Sequence, residues 1–137
     1  MAFEAPLEDI EKMRPPEGEV HTLTADVAVE AGQVVKLTGN QTASPSDTDG
    51  ENAFAVATQS VASGDTFTAL GTGGKVLFTA GDAIGAGDPL ASHGGTGDEG
   101  TVAVADATGD NIIGYATESA TSGDVLVGTV NRGGEVN

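Results

Sequence analysis

The 137-residue sequence contains no cysteine and no tryptophan, and only five of its residues are Lys or Arg. The absence of cysteine excludes disulfide bonds, cysteine-ligated zinc or iron–sulfur sites and catalytic thiols. Nucleic acids and anionic membranes attract clustered Lys and Arg, so a chain with five scattered basic residues is poorly suited to bind either. No apolar run approaches the roughly 20 residues that a membrane-spanning helix needs. The sequence therefore predicts no nucleic-acid partner and no membrane partner.

The N-terminus also lacks the features of a secretory signal peptide. Such a peptide begins with a basic region that is followed by an apolar region. Residues 1–6 contain one acidic and no basic residue, and no apolar region follows them. We therefore expect the mature chain to begin near Met1 and to be synthesised in the cytoplasm.

Acidic residues dominate the charged residues of the sequence. The 21 Asp and Glu, against five Lys and Arg, give the chain a formal net charge of −16. They are spread singly through turns and strand edges with apolar alternation between them, whereas disordered acidic chains carry long charge blocks. At molar ionic strength the Debye length falls to about 3 Å, which screens the mutual repulsion of the carboxylates. The composition therefore favours a folded protein with a halophilic surface, adapted to high salt, over an ordinary acidic protein.

From residue 19 onward the sequence alternates apolar and polar residues in short runs that glycine-rich turns separate. The apolar residues are mostly small or β-branched, which suits thin β layers. Regularly spaced short strands with Gly-Asp turns are typical of a β-sandwich or β-barrel. We therefore predict an all-β fold, a small β-barrel or β-sandwich, with a polar loop at residues 39–52. The predicted strands cover residues 20–24, 26–30, 33–38, 53–58, 66–70, 75–79, 89–91, 101–105, 112–117 and 125–130.

One segment of the sequence is nearly repeated: A-T-Q-S-V-A-S-G-D at residues 57–65 returns as A-T-E-S-A-T-S-G-D at residues 116–124. Two further turns, at residues 30–34 and 85–89, share a pattern of small residue, Gly and polar residue. Glycine supplies a positive φ at such turns, and Asp accepts hydrogen bonds from turn amides. Convergent turn chemistry would explain short matches of this kind. The long match indicates a strand–turn–strand unit used twice, as pseudo-symmetric halves of one barrel.

Residues 1–18 differ from the rest and form a predicted N-terminal arm, which leaves residues 19–137 as the β domain. Residues 7–13 have the spacing of about two helical turns, and Pro15 and Pro16 would end such a helix. A helix this short is marginal alone in water. The segment is therefore either a frayed terminus or an arm that becomes ordered when its apolar side chains dock on a neighbouring subunit. The docking residues would be Phe3, Leu7, Ile10 and Met13.

The motifs that suggest catalysis or ligand binding do not fit their structural requirements. Residues 95–100 match G-x-G-x-x-G, but a predicted strand follows where a dinucleotide site needs a helix. Residues 47–51 resemble the start of a calcium loop, but its twelfth position is Thr58, so a solvated loop is favoured over a weak cation site. The two histidines, His21 and His93, belong to no nucleophile or metal motif. We therefore predict a non-enzymatic protein without a cofactor or metal.

Three further motifs follow one another along the chain: A-G-Q-V-V at residues 31–35, A-F-A-V-A-T-Q-S at residues 53–60, and I-G-Y-A-T-E-S-A with the valine-rich strand after it, within residues 113–130. In this order they resemble the pattern of the capsid cement, or head decoration, family of tailed viruses. The resemblance covers about residues 20–131, and the arm with its two prolines lies outside the pattern.

The resemblance implies a structural virion protein that binds the outer surface of the capsid and stabilises the lattice of the major capsid protein. It further implies a homotrimer of small β domains, located on the virion after synthesis in the host cytoplasm. The acidic composition suggests a haloarchaeal virus as the source. On this interpretation the N-terminal arm contacts the capsid through Phe3, Leu7, Ile10 and Met13.

Two other kinds of protein stay open from the sequence. One is a different surface component: a spike, turret or tail protein of a virion, or a surface-layer domain for which Asn40 in N-Q-T would be a glycosylation acceptor. The other is a carbohydrate-binding β module, which would need exposed aromatic side chains for stacking on sugars. The five aromatic residues occupy positions where core or arm residues are expected, which favours the capsid hypothesis.

Overall fold

The structure, a computed structural model, describes residues 19–136, and within them the chain forms ten β-strands and no helix. The predicted all-β class is therefore confirmed. In this range no helix is present that is long and apolar enough to cross a membrane. The strands are β1 (Val20–Ala25), β2 (Val34–Gly39), β3 (Thr42–Pro45), β4 (Ala55–Ala57), β5 (Thr66–Leu70), β6 (Thr72–Thr79), β7 (Pro89–Ser92), β8 (Val102–Val104), β9 (Asn111–Ala116) and β10 (Val125–Glu135).

The ten strands form two five-stranded sheets that repeat one connectivity. The first is a closed barrel in the order β1-β3-β2-β4-β5, and the second has the order β6-β10-β9-β7-β8. The strand pairs of the barrel have counterparts in the second sheet when five is added to each strand number. For example, β2 pairs with β4 in the barrel, and β7 pairs with β9 in the second sheet. The parallel pair β1–β3 closes the barrel, and its counterpart in the second sheet is a single parallel bridge between Ala80 and Val102. A small β-barrel is thus present, as predicted.

The repeat extends to the side-chain hydrogen bonds at the two copies of the repeated turn. The Thr58 hydroxyl donates to the Thr68 carbonyl at 3.0 Å, and the Thr117 hydroxyl donates to the Val127 carbonyl at 2.8 Å. The repeated segment is therefore a structural unit used twice. Each copy belongs to its own five-stranded sheet, however, instead of forming half of one barrel, because each half pairs its last strand with its own first strand.

The aligned stretch is longer than the repeated turn, since residues 46–65 and 105–124 share nine of twenty residues. The glycine of each S-G-D turn has the predicted positive φ, 90° at Gly64 and 91° at Gly123. In the second copy the Thr121 hydroxyl and amide both donate to the Asp124 carboxylate, at 2.8 and 3.1 Å. These hydrogen bonds lower the pKa of Asp124 from its ordinary value, because they favour the charged carboxylate.

Two apolar clusters fill the interior, one centred on each sheet. Phe67 is the largest side chain buried in the barrel, and Phe78 is the largest in the second sheet. A Cβ on Gly128 would lie 2.7 Å from the Phe78 ring, and one on Gly114 would lie 3.1 Å from it. The ring therefore packs against bare backbone on two neighbouring strands. Val34 of β2 joins the cluster of the second sheet, so the two halves share part of their core.

The largest differences from the predicted strands lie at β3, at residues 26–30, at β6 and at β10, which continues to Glu135 instead of ending at residue 130. β3 lies within the predicted polar loop of residues 39–52, because a short polar segment pairs with β1 on one edge and β2 on the other. Residues 26–30 form no strand: the chain bends at Asp26 and Val27, and only Val29 forms a bridge, with Val61. β6 begins at Thr72 instead of residue 75, because pairing with β10 outweighs the low strand propensity of two glycines.

Candidate docking surface

The second sheet exposes apolar side chains on the face that points away from the core. Buried and outward side chains alternate along β6, so Lys75 and Leu77 both point outward. Leu77 pairs with Val127 of β10, and Tyr115 of β9 extends the same face. Leu77 is 53% exposed and Val125, at the start of β10, is 57% exposed. We call Leu77, Tyr115, Val125 and Val127 the outer face.

Three residues of the outer face, Leu77, Val125 and Val127, also form one wall of an apolar groove. This groove has a volume of about 450 Å³ and opens between the second sheet and the barrel. Gly32 lets the two walls approach each other, since a Cβ there would lie 3.3 Å from the Thr79 hydroxyl. None of the described residues that line the groove is acidic, although the chain contains 21 acidic residues. The groove is lined by Ala31, Gly32, Ala57 and Thr58 on the barrel side and by Lys75, Val76, Leu77, Val125 and Val127 on the other.

Lys75 is the one charged residue among the described residues that line the groove. No described carboxylate lies within salt-bridge distance of it, whereas Lys36 pairs with Asp47 at 2.7 Å and with Glu51 at 3.8 Å. The carboxylate of Glu118 is bonded to a different group, because it accepts a hydrogen bond from the Val127 amide at 2.8 Å. The groove therefore offers an occupant an apolar surface and one ammonium group.

The described part of the chain begins at the N-terminal end of β6, a strand that lines this groove. The Glu19 amide donates to the Thr72 carbonyl at 2.9 Å, and the Gly71 amide donates to the Glu19 carbonyl at 2.7 Å. These two bonds extend the β1–β5 pairing to the first residue of β6, the strand that lines the groove. β6 is an edge strand, because β10 is the only strand with which it pairs in the described chain. Glu19 therefore lies at the N-terminal end of the strand that forms one wall of the groove.

The contact residues predicted from the sequence lie outside the described residues; they are Phe3, Leu7, Ile10 and Met13. The outer face and the groove were not predicted. One signal for the outer face is present in the sequence, since Leu77 is in phase with Lys75 and out of phase with the buried Val76. The groove has no comparable signal, because its walls come from segments that are far apart in the sequence and meet only in the fold.

The acidic loop at residues 47–51 is held by its own hydrogen bonds. The Glu51 carboxylate accepts from the amides of Asp47 and Thr48 at 2.8 and 2.9 Å, and the Lys36 ammonium donates to Asp47 at 2.7 Å. Within residues 19–136, no three Asp, Glu, His or Cys side chains are grouped so that they could hold a metal ion. The carboxylates of Asp47 and Glu51 therefore bond within the loop and to Lys36, and that of Asp49 accepts a hydrogen bond from the Gly94 amide at 2.6 Å.

The ion pair between Lys36 and Asp47 shifts the pKa of both side chains from their ordinary values, and the shift of Asp47 can be tested. The hydrogen bond from Lys36 lowers the pKa of Asp47 and raises the pKa of Lys36. Because the Asp47 pKa is lower in the folded state, the pair stabilises the fold above the ordinary aspartate pKa, and this contribution is lost as the pH falls through the lowered value. We expect a carboxyl NMR titration to show a low midpoint for Asp47 that returns to the ordinary range in Lys36→Gln. The matched variant Lys75→Gln should leave it unchanged, and an equal change in both variants would contradict the pairing.

The aromatic side chains leave little surface for stacking on a sugar. The Phe54 ring is covered by the Arg132 guanidinium, 4.8 Å from its centroid, and by the His21 ring at 4.7 Å. Phe67 and Phe78 are buried, as the sequence predicted. Among the described aromatic residues, this leaves Tyr115 on β9, which is 37% exposed, as the one whose ring could stack on a flat ligand. The arrangement therefore does not favour the carbohydrate-binding alternative.

Comparisons with known proteins give two likenesses. A family described as phage cement protein matches the chain over residues 15–132. Among solved structures, the crystal structure of the head fiber gp8.5 N base in bacteriophage phi29 is similar with a TM-score of 0.63 and 23% sequence identity, over 82% of this chain and 92% of that chain. At this identity the second likeness concerns the fold. No curated protein matches the sequence.

Proposed function

The chain belongs to the phage cement protein family, and on that premise we propose that it binds the outer surface of a tailed-virus capsid and stabilises the lattice of the major capsid protein. The observation that carries this proposal is the family match over residues 15–132, a range that includes β1 to β9 and most of β10. Members of this family are structural components of a virion that associate with its capsid, so the expected role is structural and not enzymatic.

The physical properties of the domain are compatible with such a role. Two sheets of one connectivity share a core, which gives a stiff body. Contacts that are weak individually add up when they are repeated over a closed shell. We further propose that the protein is a homotrimer and works at high salt, as on a haloarchaeal virus, where screening would let chains of charge −16 lie side by side.

The N-terminal arm, residues 1–18, is the part that we propose to contact the capsid, with residues 19–137 as the domain it tethers. At high salt long-range attraction is screened, so attachment has to rely on apolar and hydrogen-bonded contacts. Residues 3–13 of the arm contain four large apolar side chains. The proposed contacts are Phe3, Leu7, Ile10 and Met13.

Deleting residues 1–16 should leave the domain folded and weaken its binding to particles stripped of the protein. Burial of one large apolar side chain contributes roughly 1.5–3 kcal/mol, so each contact that is lost should weaken binding about tenfold or more. Binding isotherms on stripped particles, with circular dichroism as the check on folding, measure both quantities. Full occupancy by the truncated protein at wild-type concentrations would refute the role of the arm.

A matched pair of point variants separates apolar contact from charge. Ile10→Ser removes an apolar side chain from the arm, and Glu8→Gln removes a carboxylate nearby without removing apolar surface. We expect the first variant to bind about tenfold more weakly and the second to bind as the wild type does. The reverse order would show that the arm acts through its charge.

A second role, as the base of a surface spike, is favoured by one observation, the fold likeness to the head fiber N base. The two roles differ in where the protein lies on a particle. A cement protein covers the lattice in many equivalent positions, whereas the base of a spike carries further density that projects from the surface. Particle images therefore distinguish them.

A further inference from the structure

We propose that the apolar groove between the barrel and the second sheet is the docking site of the chain's own N-terminal segment, residues 3–13, in the free protein. This deepens the proposed function and rests on it in one respect: the segment that is to contact the capsid is held by its own domain beforehand. The groove is chosen because its described lining is apolar apart from Lys75 and contains no acidic residue, and because one of its walls is β6, the strand whose first residue is hydrogen-bonded to Glu19.

The point of entry brings the segment within reach of the groove. Glu19 is bonded to Thr72, and Leu77 of the groove lies five residues further along β6, a distance of roughly 17 Å in a strand. The six residues from Met13 to Glu19 can span up to about 20 Å when extended. Met13 can therefore reach Leu77 in the same chain, and the residues before it can lie along the groove.

The composition of the segment complements that of the groove. Residues 3–13 contain four large apolar side chains, four acidic residues and one lysine. The described lining is apolar except for Lys75, which has no carboxylate partner among the described residues. Apolar contact and a pair with Lys75 would satisfy both partners. In a chain with 21 acidic residues, an acid-free cleft with a lysine is the surface that such a segment fits.

The proline pair decides how the segment can lie. If β1 were extended toward the N-terminus and paired with β6, Pro15 and Pro16 would lie within the extended strand. Proline has no amide hydrogen to donate to a neighbouring strand. The segment therefore cannot extend β1 as a regular strand. The spacing of its apolar residues, three and four apart, instead matches one face of a helix. Docking of such a face into an apolar groove is a common mode of peptide recognition.

The segment of the same chain is favoured over that of a second copy. An intramolecular contact over a short tether has an effective concentration in the millimolar range, so even weak complementarity gives substantial occupancy. The groove of the same chain is therefore the first surface that residues 3–13 meet.

A spin label placed in the segment tests the contact directly. The chain has no cysteine, so Glu8→Cys introduces a single site for a nitroxide. In the methyl NMR spectrum of the labelled chain we expect the signals of Leu77 and Val125 to lose most of their intensity. The methyl signals of Leu37, exposed on the barrel outside the groove, should keep theirs. Unchanged intensities at Leu77 and Val125 would overturn the proposal.

Two further samples complete the test. The first sample mixes methyl-enriched chains that carry no spin label with spin-labelled chains that are not enriched. We expect the methyl signals of this sample to keep their intensity. A loss of intensity at Leu77 would show that the segment of a second copy occupies the groove, and it would overturn the proposal. In the labelled chain, Leu77→Asp should restore the intensity at Val125, whereas the matched Leu37→Asp should leave the loss in place. Loss that persists in Leu77→Asp would also count against the groove.

The test needs no capsid, so it is independent of the proposed function. If the groove signals are unaffected while deletion of residues 1–16 weakens capsid binding, the groove assignment fails and the arm's role on the capsid stands. If the signals are lost while the deletion leaves capsid binding unchanged, the groove assignment stands and the capsid contact fails.

Discussion

Replacing Phe78 by alanine should lower the free energy of unfolding by about 3–5 kcal/mol, the cost that is typical of truncating a buried phenylalanine. The ring is fully buried and packs against the backbone at Gly114 and Gly128, which have no side chains that could move into the space. A cavity would therefore remain. Domains are typically stable by about 5–15 kcal/mol, so the loss would be a large share. Equilibrium unfolding in denaturant, with the slope m compared between variants, measures it.

The matched control is Val125→Ala on the outer face. Val125 is 57% exposed, so its truncation should change the free energy of unfolding by only about 0.5 kcal/mol. Phe67→Ala should behave like Phe78→Ala, because Phe67 is the largest side chain buried in the core of the barrel. A loss below about 1 kcal/mol for Phe78→Ala would mean that the second sheet does not close over this ring.

Lowering the salt from molar concentration to about 0.1 M should cause a reversible loss of β structure, because the Debye length grows from about 3 Å to about 10 Å. The chain carries a net charge of −16, and the self-repulsion of like charges destabilises a compact state. Circular dichroism at graded salt, followed by return to the starting concentration, measures the loss and its reversibility. A spectrum that stays unchanged throughout would contradict a fold adapted to high salt.

A variant with fewer carboxylates separates charge from general salt effects. Asp26, Asp65 and Asp106 are exposed, and their side chains form no hydrogen bond with the described residues. Changing all three to Asn lowers the net negative charge by three without removing a bond of the fold. We expect this variant to keep its structure at a lower salt concentration than the wild type. An equal salt dependence of both proteins would show that repulsion between carboxylates is not the cause.

The fold class could be predicted because local alternation and turn chemistry agree along most of the chain. The S-G-D turns require a positive φ, which glycine provides, and Gly64 and Gly123 have it. β3 could not be predicted, because its T-A-S-P sequence becomes a strand only through partners on both edges. The sequence repeat revealed the duplication but not its form. Whether each copy closes on itself depends on pairings between distant strands, such as β1 with β5.

The candidate site was harder to predict than the fold. The arm residues stand out in the sequence as large apolar side chains outside any strand pattern, and they remain a prediction. Exposure of Leu77 follows from its phase in β6, once Val76 is known to be buried. The groove depends on Gly32 lying beside Thr79, a contact between segments about fifty residues apart that no local pattern encodes.

Cryo-electron microscopy of purified virions tests the capsid role most directly, with mass spectrometry of the same particles giving the copy number. We expect density for the two-sheet domain on the outer surface of the capsid, in many copies that follow the symmetry of the lattice. Density confined to the tail, or a capsid surface from which the domain is absent, would contradict a role as capsid cement.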